Sequence, residues 1–201
     1  MFFHDSRYLI HKNIKNNVKI VVISDIHFSY NVTNKKLNRI VEHIYNEKPD
    51  YIFVAGDIVD SLDMIIKEKE ETRLIDFIKH LATITKTIMI LGNHDLYRSV
   101  KNKNIIEYEN YYKDLSNIKN VLLLRDSFYE DKNILVYGLF QQYEYFKEHN
   151  KEDIEVLVKE VDKIKLKESD KLKIVLIHSP YYLINKSKYD KSSKLIKHIY
   201  D

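Results

Sequence analysis

The sequence predicts an α/β fold, because patterns typical of buried strands alternate with helical patterns along the chain. Short, mostly apolar runs are separated by longer segments in which apolar residues recur every three or four positions. Val18–Ser24 is the first predicted strand and Asn34–Asn46 the first predicted helix, which Pro49 ends. Strands at Tyr51–Ala55 and Thr87–Leu91, with a helix at Thr72–Ile84 between them, complete two β-α-β units. Right-handed crossovers would place these three strands parallel to one another.

The second half of the chain has shorter elements. A helix is predicted at Ile105–Leu115, followed by three short strands that we expect to be antiparallel: Val121–Leu124, Ser127–Glu130 and Asn133–Leu139. The last predicted elements are a charged helix at 151–167, a buried strand at Leu172–Ile177 and a helix at 192–200.

These elements predict two sheets that pack as a β-sandwich flanked by helices. The mostly parallel sheet contains the strands ending at Ser24, Ala55 and Leu91, and the more mixed sheet contains those ending at Leu139 and Ile177. No linker or internal repeat divides the chain, so residues 1–201 are expected to form a single domain.

Composition narrows the classes of protein that this chain can belong to. Apolar residues make up 44% and charged residues 31%, which is typical of a soluble protein with no transmembrane segment. The N-terminus is charged too early for a signal peptide, so a cytoplasmic location is expected. Without cysteine, any metal must be bound by histidine, carboxylate or amide groups. The net charge of +3 is spread along the chain and does not indicate nucleic-acid binding. The oligomeric state stays open.

Polar residues with metal-binding chemistry follow four of the predicted strands. They are Asp25 and His27, then Gly56-Asp57-Ile58-Val59-Asp60, then Gly92-Asn93-His94-Asp95, and finally His178. In open α/β sheets, ligands bind at the carboxyl ends of the strands. Residues two apart in extended chain point to the same side, so Asp25 and His27 are expected to converge on one ion. The glycines permit sharp turns, and the ligand types suit manganese, iron or zinc rather than calcium.

In order and spacing, Asp25-x-His27, Gly56-Asp57-x-x-Asp60, Gly92-Asn93-His94-Asp95 and His178 resemble the signature of calcineurin-like metallophosphoesterases. The resemblance covers nearly the whole chain. It implies the calcineurin-like phosphoesterase fold, two divalent metal ions (manganese, iron or zinc) and metal-dependent hydrolysis of a small phosphoester substrate by an activated hydroxide.

The resemblance also implies a role for each residue. Asp25 and His27 would bind the first metal ion, Asp57 would bridge both ions, and Asn93 and His178 would bind the second. His94 would face the substrate as an acid or as a stabiliser of phosphoryl charge, while Asp95 would hold its ring. No substrate-binding residue is assigned; the glutamines and aromatics of 137–146 could contact a leaving group or form a packed hinge.

One part of the family signature is missing from this sequence. Family members usually carry Gly-His-x-His on a strand after the last helix, one histidine for each metal ion, and the chain stops at Asp201 without it. His198 lies in a predicted helix and is not taken as a replacement. The last strands are therefore expected to be absent, each ion to lack one histidine, and both metal occupancy and hydrolysis to be weak. Either the natural protein is longer than this chain or its reading frame ended early. If a downstream coding sequence exists, it is expected to continue into Gly-His-x-His.

Two other functions remain open from the sequence. The chain could be a non-catalytic scaffold that keeps the fold, like the metallophosphoesterase-like subunit of retromer. Scaffolds of that kind tend to lose metal ligands piecemeal, whereas every ligand position before the chain end is intact here. A nuclease would share the same metal ligands but would need a basic groove, which the charge pattern does not supply.

Overall fold

The first sheet has four parallel strands in the order β1-β2-β3-β4. The computed structural model describes residues 6–9, 16–29, 31–96, 105–141 and 170–179. The strands are β1 (Ile20–Ile23), β2 (Tyr51–Ala55), β3 (Lys86–Ile90) and β4 (Val121–Leu123). The helices between them are α1 (Asn34–Glu47), α2 (Leu62–Lys67), α3 (Glu71–Ile84), α4 (Asn93–Leu96) and α5 (Ile105–Ser116).

The second sheet has three strands in the order β5-β6-β7. They are β5 (Ser127–Glu130), β6 (Ile134–Gly138) and β7 (Leu172–Leu176). The pair β5-β6 is antiparallel and the pair β6-β7 is parallel. The predicted fold class is therefore confirmed: two sheets, one parallel and one mixed, with helices around them. The helices predicted at 151–167 and 192–200 lie outside the described residues.

Two details of the sequence prediction are wrong. Val121–Leu123 was expected to join an antiparallel group, but it pairs in parallel with β3 in the first sheet. The connection through α5 is a crossover, which returns the chain to the same sheet in the same direction. The first strand was expected to be buried, yet Val22 is 57% exposed because β1 lies at the edge of the described sheet.

The core is divided by the alternation of side chains along β2. Phe53 faces the second sheet and packs in a cluster with Ile88 and Val136, whereas Ile52 and Val54 belong to the cluster formed with the helices. Because successive strand residues point to opposite faces, a strand buried on both sides reads as a continuous apolar run. The first sheet is thus sandwiched between the helices and the second sheet.

Helix α1 begins and ends at the residues that the sequence signals mark. Thr33 is the N-cap, and its side chain accepts a hydrogen bond from Lys36 N at 3.4 Å. Lys48 adopts a left-handed conformation with φ of 50°, and its N–H donates to Tyr45 O before Pro49.

Among the described helices, none is long and apolar enough to cross a lipid bilayer.

Asp131 joins the two sheets at the end opposite the predicted site residues. Its Oδ2 accepts hydrogen bonds from Tyr51 OH at 2.6 Å and Tyr129 OH at 2.9 Å. Its Oδ1 accepts from the backbone N–H groups of Asn133 and Ile134 in the β5–β6 turn. Partial burial alone would raise the pKa of Asp131, but these hydrogen bonds outweigh it and lower the pKa below its usual value.

We expect Asp131→Asn to lower the free energy of unfolding by about 1–2 kcal/mol. The carboxylate accepts hydrogen bonds at both oxygens, whereas the NH₂ group of asparagine cannot accept any, so either the tyrosine bonds or the backbone bonds are lost. Since the pKa of Asp131 is lowered from 3.8 in the folded state, its contribution is present above about pH 4 and is lost as pH falls through the folded pKa. Urea unfolding of wild type and variant at several pH values measures this. Asp114→Asn, on the exposed face of α5, is the control and should change stability by less than about 0.5 kcal/mol. An Asp131→Asn effect that does not shrink in acid would contradict the role of the charge.

Candidate metal centre

The loops that follow β1 and β2 run side by side at the carboxyl edge of the first sheet. Asp25 N donates to Gly56 O at 3.2 Å, His27 N to Asp57 O at 3.1 Å and Phe28 N to Ile58 O at 2.7 Å. These backbone hydrogen bonds fix the loop that carries Asp25 and His27 against the loop that carries Asp57. The loop after β3 and the segment after β7 reach the same edge.

Three of the predicted ligands have left-handed backbone conformations. The φ angles are 55° for Asp25, 46° for His27 and 50° for Asp57. Asp and His are among the side chains that tolerate this region best. Asp25 and His27 do converge, with 3.9 Å between Asp25 Oδ1 and His27 Nε2. The expected cause was wrong: they do so through a strained turn and not through extended chain.

Asp57 lies at the centre of the cluster and is 3% exposed. Its Oδ1 accepts a hydrogen bond from His94 N at 2.8 Å, and its Oδ2 lies 3.3 Å from His178 Nε2 and 3.9 Å from His27 Nε2. Burial alone would raise the pKa of Asp57, but the hydrogen bonds from His178 and His94 outweigh it and lower the pKa. A Cβ on Gly92 would overlap the Asp57 carboxylate, so the lack of a side chain there leaves room for it.

His178 reaches this centre from the second sheet. Its Nδ1 lies 2.8 Å from Ala55 O. A carbonyl oxygen can only accept, so Nδ1 carries a proton, and Nε2 points into the cluster. His178 Nε2 lies 3.2 Å from Asn93 Oδ1, as expected if both donors serve one ion. Burial would lower the pKa of His178, but the bond to Asp57 outweighs it and raises the pKa.

His27 and His94 form the outer side of the cluster, together with Asp60. The two imidazole rings meet edge to face, with 4.6 Å between their centroids. Asp60 Oδ1 lies 3.6 Å from His27 Nδ1 and 3.5 Å from His94 Nδ1, and Asp60 O lies 2.8 Å from His94 Nδ1. His94 is the more exposed of the two histidines, with 37% of its side chain accessible.

Asp95 does something other than the sequence analysis assigned to it. Its Oδ1 accepts from Ile58 N at 3.0 Å and Val59 N at 3.1 Å, and its Oδ2 accepts from Gly92 N at 2.8 Å. The contact to the ring of His94 is made by Asp60, because neighbouring residues in the short helix α4 do not face each other. Burial raises the pKa of Asp95 to about 6, helped by the charge of Asp57 and opposed by the three N–H groups. Asp95 therefore ties the loop after β2 to the loop after β3.

The arrangement fits two adjacent cations that share one carboxylate. One group of donor atoms within 4.8 Å of one another comes from Asp25, Asp57 and His178, and the other from His27, Asp57 and His94. Asp57 belongs to both. His27 Nδ1 is buried without a hydrogen-bond partner, and the mixture of carboxylate, amide and imidazole donors suits divalent transition metals. All five predicted ligands lie at one edge, although the grouping pairs Asp25 with His178 and His27 with His94.

Asp60 belongs to the Gly56-Asp57-Ile58-Val59-Asp60 motif, but no role was predicted for it. Its place between two histidines depends on the turn after Asp57, which spacing alone does not reveal. The available signal was its position three residues after Asp57, which places both in the same loop.

We expect Asp95→Ala to lower the free energy of unfolding by at least about 3 kcal/mol, even in metal-free protein, because three buried N–H groups lose their acceptor. Asp95→Asn keeps one acceptor oxygen, so its free energy of unfolding should lie between those of the wild type and Asp95→Ala. Thermal or urea unfolding in the presence of a chelator measures both. Asp76→Ala, which removes a 3.6 Å surface pair with Lys79, is the control and should cost less than about 1 kcal/mol. A similar small loss for Asp95→Ala would refute the tying role.

Comparison with known proteins finds relatives that match part of this chain. An uncharacterized metallophosphoesterase of Campylobacter jejuni is 26% identical over 88 residues, which are 44% of this chain and 22% of the relative. The uncharacterized metallophosphoesterase YkuE of Bacillus subtilis is 31% identical over 106 residues, 49% of this chain and 36% of the relative. A transmembrane protein with metallophosphoesterase domain from Danio rerio is 29% identical over 82 residues, 41% of this chain and 18% of the relative. The chain thus spans well under half the length of these relatives.

A family model gives the broader match. The model described as calcineurin-like phosphoesterase matches residues 18–200, which is most of the chain and includes every predicted ligand. The resemblance seen in the motifs is therefore confirmed. This chain belongs to the calcineurin-like phosphoesterase family.

Proposed function

We propose that this chain forms a single metallophosphoesterase domain that hydrolyses phosphoric esters with two divalent metal ions. Asp25, His27, Asp57, Asn93 and His178 would hold the ions, which we propose to be manganese, iron or zinc. The observation that carries the proposal is the position of Asp57, whose carboxylate belongs to both groups of donor atoms. Two bound cations would supply a hydroxide nucleophile near neutral pH and positive charge for the phosphoryl oxygens.

The contacts of Asp57 support its assignment as the shared ligand. One oxygen is oriented by the N–H of His94, and the other faces His178 and His27. A carboxylate has lone pairs on both oxygens, so it can serve two neighbouring ions while the backbone fixes its orientation. Asn93 offers a neutral carbonyl oxygen, which adds no negative charge to repel an anionic substrate.

His94 is proposed to protonate the leaving group or to stabilise phosphoryl charge. Its Nδ1 lies 2.8 Å from Asp60 O, so that nitrogen donates, and Nε2 is the atom that we propose exchanges a proton with the substrate. His94 is also the more accessible of the two neighbouring histidines, which suits contact with a substrate.

The finer parts of the proposal concern substrate and location. A small phosphoester is the proposed substrate, since neither the charge pattern nor the site indicates nucleic acid. We also propose a cytoplasmic location. Slow turnover by this 201-residue chain is part of the same proposal.

We expect Asp57→Asn and His94→Ala to separate metal binding from catalysis. With Mn²⁺ supplied, Asp57→Asn should lower kcat/KM for a chromogenic phosphodiester at least about a hundredfold and also lower the metal content, because the shared ligand is lost. His94→Ala should lower kcat about a hundredfold or more and leave the metal content unchanged. Phosphate-ester assays and elemental analysis of the same samples measure both quantities.

His80→Ala, at an exposed position of α3, is the matched control and should change neither quantity. Equal metal loss in the Asp57 and His94 variants would show that His94 is a ligand, as its grouping with His27 and Asp57 allows. Wild-type protein that neither binds metal nor hydrolyses the ester would overturn the enzyme proposal and favour a scaffold.

A further inference from the structure

Gln141 is a buried amide whose two polar atoms both bind the backbone next to His178. The side chain is 2% exposed. Its Nε2 donates to Ser179 O at 3.1 Å, and its Oε1 accepts from Ser179 N at 2.9 Å. Only this orientation of the amide matches a donor with an acceptor at both contacts. The side chain therefore holds the peptide groups on both sides of Ser179.

These two bonds continue the pairing of β6 and β7 beyond the end of the strands. The parallel ladder runs to the pair Gly138–Leu176, and Leu139 N then donates to Leu176 O at 3.0 Å. Gln141 lies three residues after Gly138, and Ser179 lies three residues after Leu176. The Gln141 side chain thus makes the kind of hydrogen bonds that a strand backbone would make. It joins the segments after β6 and β7 beyond the end of the sheet.

His178 lies between the end of the ladder and this tie. Its imidazole is fixed at Nδ1 by Ala55 O, and Nε2 points at Asp57 and Asn93. A ring that must deliver a lone pair to a set point needs a backbone that is held on both sides. Leu176 supplies the hold on one side and Ser179, through Gln141, the hold on the other.

We propose that Gln141 is a positioning residue for His178: it fixes the backbone after β7 so that His178 Nε2 is aimed at the metal site. Because Gln141 is buried and its amide binds the Ser179 backbone, we assign it no direct contact with substrate, leaving group or ion. The inference rests on the proposed function only in that His178 is taken as a metal ligand. The rival explanation is that Gln141 merely stabilises the fold.

The first arm of the test uses metal-free protein and ¹⁵N NMR of the histidine side chains. In wild type, the Nδ1–H of His178 should stay hydrogen-bonded to Ala55 O, so its signal should be visible and slow to exchange with solvent. Gln141→Leu keeps a side chain of similar size and removes both hydrogen bonds, so the bond from His178 Nδ1–H to Ala55 O should loosen and this hydrogen should exchange with solvent at least about tenfold faster. Thr85→Val is the matched control, because it removes a side-chain bond to Asp50 O at the opposite end of the sheet, and it should leave His178 unchanged. Unchanged His178 signals in Gln141→Leu would overturn the proposal.

The second arm is a double-mutant cycle on Mn²⁺ affinity measured by calorimetric titration. Gln141→Leu should weaken binding about tenfold or more. In a His178→Ala background the same substitution should add almost nothing, since it acts through that ring. Equal losses in both backgrounds would refute a positioning role.

If Gln141→Leu does not fold, Gln141→Glu, which keeps the acceptor for Ser179 N, replaces it and should show a smaller loss of the same kind. Wild-type protein that binds no Mn²⁺ would refute the proposed function, while the NMR arm would still decide the role of Gln141.

Discussion

The constraint on which the rest of the site depends is the burial of the Asp57 carboxylate. A buried carboxylate is costly unless it is paired and hydrogen-bonded. The chain meets this need with the N–H of His94 and the imidazole of His178, and Gly92 leaves the space that the carboxylate occupies. The loops after β2 and β3 and the segment after β7 are therefore all arranged around one side chain.

The sequence predicted the fold well where burial produces a clear pattern. Strand β2 is buried on both faces, so its residues form an apolar run that no helix would show at that length. The direction of β4 was missed because three residues carry no directional information. That direction is set by the crossover through α5, which is a property of the chain's path and not of the strand's own residues.

The convergence of these polar residues at one edge was predictable, but their individual contacts were not. Order along the chain places Asp25, Asp57, Asn93 and His178 after strand ends, and parallel strands bring those ends together. Three features depend on a few dihedral angles or on contact between distant segments: the left-handed turns, the contact of Asp60 instead of Asp95 with the His94 ring, and the tie made by Gln141. Periodicity and spacing report neither.

The site also spans the interface between the two sheets. Asp57 extends from the first sheet and His178 from the second, and between those sheets lies the cluster that includes Phe53 and Val136. An ion bound by both side chains would be bound only while the two sheets are packed together, so metal affinity and sheet packing are thermodynamically linked. By mass action, an ion at a hundred times its dissociation constant would stabilise that packing by about 2.7 kcal/mol. The concentration of divalent cations would then influence the fraction of this protein that is folded, as well as its proposed rate of hydrolysis.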